Sequence, residues 1–166
     1  FDHKQLLYAS VNVSPKLGIF RPTWGFNYNQ QFFDTRKYGA SKALSKPLLS
    51  CSLDNNFALS ETMNAAISLN AATSNADGFL MMKSGYSVNL QFDKSFANRT
   101  WIIYLSANDI FKTAKERWTM YGLGAGTTKD CYNYTRNISL QVTYNFNAKR
   151  SKYKGTGAGN EEKSRL

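Results

Sequence analysis

Residues 134–146 alternate almost without exception, with Tyr134, Arg136, Ile138, Leu140, Val142, Tyr144 and Phe146 on one side and Thr135, Asn137, Ser139, Gln141, Thr143 and Asn145 on the other. A period of two is the signature of a strand with one apolar and one polar face. Two details narrow the choice further. The polar side is made of uncharged amides and hydroxyls, and the run is longer than the roughly 5 to 6 residues usual in soluble sheets. A strand crossing a bilayer in a barrel needs about 9 to 11 residues, apolar toward lipid and polar toward the lumen, with aromatics at the interfaces. On that reading Ile138, Leu140, Val142, Tyr144 and Phe146 face lipid, while Asn137, Ser139 and Gln141 face the lumen.

The same alternation recurs upstream, changing phase at each turn. Residues 99–111 set Trp101, Ile103 and Leu105 against Tyr104, Ser106 and Asn108, and residues 85–94 set Tyr86, Val88, Leu90 and Phe92 against Ser87, Asn89 and Gln91. In residues 63–73, Met63, Ala65, Ile67 and Leu69 oppose Asn64, Ser68 and Asn70. Asn89, Gln91, Asn64, Ser68 and Asn70 thereby join the expected lumen-facing set. Residues 49–59, 18–32 and 7–13 complete seven strands. The connections between them alternate, short near 14–17, 60–62 and 95–98, long at 34–46, 74–81 and 112–130. Outer-membrane barrels show this asymmetry, with tight periplasmic turns and longer extracellular loops. The expected fold is therefore all-β, an antiparallel up-and-down transmembrane barrel of which this chain supplies about seven strands.

Composition agrees with that reading. The 166 residues are 42% hydrophobic and 19% charged, with a mean hydropathy of −0.46. No run approaches the 18 or so apolar residues of a membrane helix, a test that a barrel escapes because alternation halves the hydropathy of every segment. The net charge of +10 invites a nucleic-acid reading, but the cations avoid the strand centres. They collect in the connections, as Arg36, Lys37, Lys42 and Lys46 or Lys112, Lys115 and Arg117 do, and in residues 147–166. A membrane strand requires this, since Lys or Arg at the lipid midplane costs roughly 2 to 4 kcal/mol. Nucleic acid is accordingly not an expected partner.

Few residues suit chemistry. Two cysteines give little framework. Cys51 falls in phase with Leu49 and Leu53 on an apolar face, whereas Cys131 is expected in a loop before the last strand. A disulfide between them stays open, because sequence alone does not set the distance it needs. His3 is the only histidine, so neither a zinc cluster nor a hydrolytic triad is in view. The Gly122, Gly124 and Gly126 stretch lacks the strand-then-helix setting of a phosphate-binding loop and reads as a flexible connection. We expect no enzymatic activity and no cofactor.

Several stretches resemble the C-terminal barrel region of Bacteroidetes-type TonB-dependent-receptor-like outer-membrane proteins. They are Ser14-Pro15-Lys16-Leu17-Gly18 with Arg21-Pro22, Lys46-Pro47 followed by Asn56-Phe57, Lys94-Ser95-Phe96, Asn108-Asp109-Ile110-Phe111, Tyr144-Asn145-Phe146 and the Gly-rich basic tail from Ser151. The resemblance implies a barrel of roughly 22 strands around a plug, with uptake energised through TonB. It also likens the terminal aromatics Tyr144 and Phe146 to the signal by which such barrels are recognised for assembly. Seven antiparallel strands put the two chain ends on opposite membrane faces, and a free-standing bacterial barrel has an even number. We therefore expect residues 1–146 to be the C-terminal strands of a larger barrel, cut from a longer chain that begins before Phe1, and residues 147–166 to be a flexible basic periplasmic tail.

The expected function is that of part of an outer-membrane receptor for TonB-dependent nutrient uptake. Its expected partners are outer-membrane lipid, the remaining strands and plug of the parent chain and, through that chain, TonB. A soluble or surface-exposed β-sandwich that binds a partner is the competing reading, with the apolar faces packed sheet on sheet.

Overall fold

A computed structural model of the protein describes residues 4–40, 43–122 and 125–146. Seven strands form one antiparallel meander. In chain order they are β1 (Gln5–Val13), β2 (Phe20–Phe32), β3 (Leu48–Ser60), β4 (Met63–Ala72), β7 (Gly85–Phe96), β8 (Trp101–Asn108) and β11 (Asn137–Tyr144), and each neighbours the next in space. The intervening labels belong to four strands in the long connections: β5 (Asn75–Asp77), β6 (Leu80–Met82), β9 (Lys115–Gly122) and β10 (Ala125–Tyr132). These make a second antiparallel sheet in the order β10-β9-β6-β5.

Short turns gather at one end of the large sheet and long connections at the other. Residues 61–62 join β3 to β4, and residues 97–100 join β7 to β8. In the second of these turns Ala97, Asn98 and Arg99 all take positive φ, 48°, 55° and 66°, a conformation that costs non-glycine residues energy. At the far end β6 pairs with β9 through Leu80–Met120, Met81–Thr119 and Met82–Trp118, so two long connections zip into one layer. The third, between β2 and β3, joins this layer through Ala76, whose N–H donates to the Lys46 carbonyl at 2.9 Å. It begins with a 3₁₀ turn at Thr35–Tyr38, capped by Asp34 and ended by Gly39 at φ 86°, where the left-handed backbone favours glycine. We call these connections together the cap.

Apart from Pro22 of β2, the buried apolar side chains among the described residues lie in the cap. Phe33, Ala40, Leu44 and Ala76 are buried, and all four lie in the long connections. Thr35 accepts from the Leu44 N–H at 3.1 Å. Gln31, at the end of β2, donates to the Leu44 carbonyl at 3.0 Å and accepts from the Gly78 N–H at 2.8 Å, which closes the β5–β6 turn against the large sheet. Phe33 stacks on Tyr38 at 5.1 Å and meets Phe79 edge-on at 6.1 Å.

Three expectations are corrected. The connection 112–130 is not a loop but carries β9 and the start of β10. Cys131 accordingly lies within β10. The last strand is shorter than its alternation, Asn137–Tyr144 rather than 134–146; Tyr134 has φ 53° and lies outside it. Pairing ends where β8 ends, since Asn137 faces Asn108, and a periodic sequence without a neighbour has no ladder to join. The tail at 147–166 lies outside the described residues.

Candidate functional site

In an antiparallel sheet, directly opposed residues share a face, and a slip of one residue would move every side chain to the other side. Here the register of all seven strands brings the apolar positions together. Trp24, Leu53, Leu69 and Val88 form one cross-strand row. Ile67, Leu90, Ala107 and Ile138 form a second, and Phe57, Ala65, Phe92, Leu105 and Leu140 a third. Val142 and Tyr144 continue this face, and Phe146 lies just past the end of β11, its ring edge-on to Tyr144 at 4.5 Å.

No described element covers this face. Even on strands with a neighbour on each side, Phe26, Ile67 and Leu105 remain 48%, 43% and 43% exposed. At the turn end of the same face, Trp101 packs on Tyr144 at 4.4 Å, Phe20 stacks on Phe57 at 5.0 Å, and Lys94 lies 5.7 Å from the Phe96 ring. Aromatic bodies with polar tips and a snorkelling lysine are the groups an interface accommodates. Asn55, an amide in the middle of this face, is also accounted for: it accepts from Trp24 Nε1 at 3.0 Å and donates to the Leu53 and Ile67 carbonyls at 3.4 Å. A polar group facing hydrocarbon needs such partners.

The opposite face collects Asn64, Ser68, Asn70, Asn89, Gln91, Asn137, Ser139 and Gln141. Its rows read Ser52–Asn70–Ser87, Asp54–Ser68–Asn89 and Gln91–Ser106–Ser139. Ser106 and Ser139 share a hydrogen bond of 2.7 Å, Asn108 donates to Asn137 at 2.8 Å, and Asn64 donates to Asp93 at 2.8 Å. Asp54 and Asp93 place carboxylates on a face otherwise dominated by amides and hydroxyls.

Where this face meets the cap, small side chains open a recess of about 650 Å³. Its floor is Asn27, Ser50, Ser52, Asn70 and Ser87, and Glu116 and Asn133 stand on the cap side. Of the residues on the strand faces expected to line the lumen, Ser50, Ser52, Asn70 and Ser87 line it. Glu116 accepts from Lys129 Nζ at 2.7 Å, Trp118 Nε1 at 2.9 Å and Asn133 at 3.2 Å. These donors, Lys129 foremost, then Trp118 and Asn133, lower its pKa from 4.5 to about 2.

A second carboxylate ties the cap to the large sheet. Asp109 follows β8 with φ 46° and is 2% exposed. Burial pushes its carboxyl pKa upward. Hydrogen bonds from the Thr113 N–H at 2.8 Å, the Thr135 hydroxyl at 2.9 Å, the Tyr132 hydroxyl and the Ala114 N–H at 3.1 Å overcome that and hold it below the ordinary value. Its own N–H donates to Asn89 at 2.9 Å. Asp109 therefore joins β7, β8, the β9–β10 hairpin and the entry to β11.

The Glu116 and Asp109 clusters were not legible beforehand, since both depend on the second sheet. The available signal was the β-forming content of Trp118, Thr119 and Tyr121 and of Thr127, Thr128 and Tyr132 on either side of a Gly-rich turn. The two cysteines are both free and belong to different sheets.

Comparison with known proteins matches residues 2–144 to the outer membrane protein beta-barrel family. No curated protein and no solved structure matches the chain. With an antiparallel meander, one uncovered apolar face and a family match over nearly its whole length, the chain belongs to the outer membrane protein beta-barrel family and resides in the cell outer membrane.

Proposed function

We propose that these strands are the C-terminal part of a TonB-dependent receptor barrel that takes up a nutrient across the outer membrane. One observation carries the reading. β1 starts and β11 ends at opposite ends of the sheet, since Gln5 pairs with Phe32 at the cap end and Tyr144 with Trp101 at the turn end. The two edge strands therefore run in the same direction, and among the described residues neither has a partner on its outer side. An open edge in hydrocarbon leaves a row of unpaired N–H and C=O groups and is not viable. An antiparallel barrel closes this gap only with an odd number of further strands, which the parent chain would supply together with a plug against the polar face.

In this arrangement Ile138, Leu140, Val142, Tyr144 and Phe146 face lipid, and the amides and hydroxyls of the opposite face line the lumen. The cap lies outside the cell and the turns in the periplasm. The lumen wall hydrogen-bonds water, plug or solute and carries no catalytic role. A β-sandwich is disfavoured because the four-stranded sheet belongs to the cap and leaves the apolar face open.

The test is uptake by cells carrying the intact parent protein. A panel of labelled vitamins, oligosaccharides and metal chelates too large for passive diffusion is offered with and without collapse of the inner-membrane proton gradient. Import of at least one that stops on collapse is expected. Gradient-independent leakage would point to a passive pore, and a parent protein whose gel migration is unchanged by heating would sink the barrel itself.

A further inference from the structure

The cap carries a cluster of cations that the uptake reading leaves unused. Lys112, Lys115 and Arg117 line a recess of about 520 Å³, with Ser84, Gly85 and Tyr86 at the cap end of β7 as its other wall. Ion pairs among the described residues are Lys4–Asp77, Arg36–Asp34 and Lys129–Glu116, so none of the three cations has a carboxylate within pairing distance. Asp130 stands directly across the ladder from Arg117 but is exposed and makes no ion pair with it. Arg117 donates one N–H to the Ser84 carbonyl at 2.6 Å, and its Nε is shut off from solvent with no acceptor. Lys112 is held over the Tyr132 ring at 5.3 Å. Holding three like charges around one concavity is unfavourable unless something negative enters it. A guanidinium beside two ammonium groups is the donor set that recognises phosphate oxygens.

We propose that Lys112, Lys115 and Arg117 form a binding site for a phosphate group at the outer rim of the sheet. The site sits at the cap end of the apolar face, where outward-facing Tyr86 closes the row of Phe26, Cys51 and Ala71. With the cap outside the cell, as proposed above, that level is where lipid headgroups of the outer leaflet stand. A phosphorylated solute approaching from outside offers the same chemistry. Three positive charges line the recess, and Asp130 opposes them across the ladder from Arg117.

The experiment uses the intact protein in neutral detergent and two probes, inorganic phosphate and mixed micelles containing lipid A, with binding followed by calorimetry at low and high salt. Replacing the three cations together (Lys112→Gln, Lys115→Gln, Arg117→Gln) is expected to weaken binding of at least one probe by about tenfold or more. Asp130→Asn is expected to tighten it, and added salt to weaken it. Binding of lipid A alone assigns the site to a headgroup, and competition by inorganic phosphate assigns it to a free anion. Binding of neither probe, or binding that ignores all of these substitutions, overturns the proposal. Should the triple variant lose heat-modifiable migration, Asp130→Asn decides, because it leaves every cation in place: no tightening is a refutation.

Discussion

Leu44 in the cap has no solvent exposure, whereas Leu140 in β11 keeps 66% of its surface open, although both are leucines in ordered backbone. The cap folds as soluble proteins do. It buries Phe33, Ala40, Leu44 and Ala76, satisfies Gln31 and Thr35 inside and fixes its polar groups with short-range hydrogen bonds. The seven-stranded sheet buries Pro22 but leaves Phe26, Ile67 and Leu105 half open in its cross-strand rows, and it is held by its ladder and by register. On the proposed reading the two regions face two solvents, water around the cap and hydrocarbon along the apolar face of the sheet.

The comparison can be broken most sharply in the cap. Leu44→Ala removes a fully buried side chain and should cost about 2–5 kcal/mol. The loss is expected as faster hydrogen exchange at Thr35 and Ala76, while the ladder between β7 and β8 keeps its protection; equal loss in both regions would show that they fold as one unit. In the sheet the corresponding change is Leu140→Arg, which should cost about 2–4 kcal/mol against lipid and abolish heat-modifiable migration. Gln141→Arg, one residue away on the polar face, should leave migration intact. A reversed ranking would mean that the faces are assigned the wrong way round.

Acid separates the regions more gently. The folded pKa of Glu116 lies below its unfolded value, so its contribution is present above pH 4.5 and fades as pH falls toward about 2. Across that window the β9–β10 hairpin is expected to lose exchange protection, with Glu116→Gln reducing the dependence to the part that Asp109, also held below its ordinary value, contributes, while Asn64 and its neighbours in β4 hold theirs. The smallest effect is expected at the β7–β8 turn. Ala97→Gly relieves a φ of 48° and should stabilise the turn by about 1 kcal/mol, since an L residue is penalised there by about 1–2 kcal/mol and glycine is not, read as a raised unfolding temperature in detergent.

The seven strands were legible because a half-solvated strand must write its two environments into alternate residues. Asn64, Ser68 and Asn70 against Ala65, Ile67 and Leu69 is such a record. The ends were less legible. Alternation runs on to Phe146, yet the strand ends at Tyr144, because the chain opposite turns away before Trp101 and only the Asn145 N–H still reaches across, to the Thr100 carbonyl at 2.8 Å. The cap was read as loop, since β5 and β6 have only three residues each and β9 mixes Lys115, Glu116 and Arg117 with Trp118 and Met120. Strands that short carry no usable period. Their stability comes from joining connections 35 or more positions apart in the chain, such as Met82 with Trp118.

The sequence by itself determined the class of fold, the number of strands in the large sheet, which side chains share a face and which end carries the long connections. Each of these is a local consequence of alternation and turn spacing. Tertiary structure alone decided the second sheet, the buried position of Asp109, the Glu116–Lys129 pair and the meeting of Lys112, Lys115 and Arg117 in one recess. Those features depend on contacts between distant segments, and no local periodicity encodes which distant segments will meet.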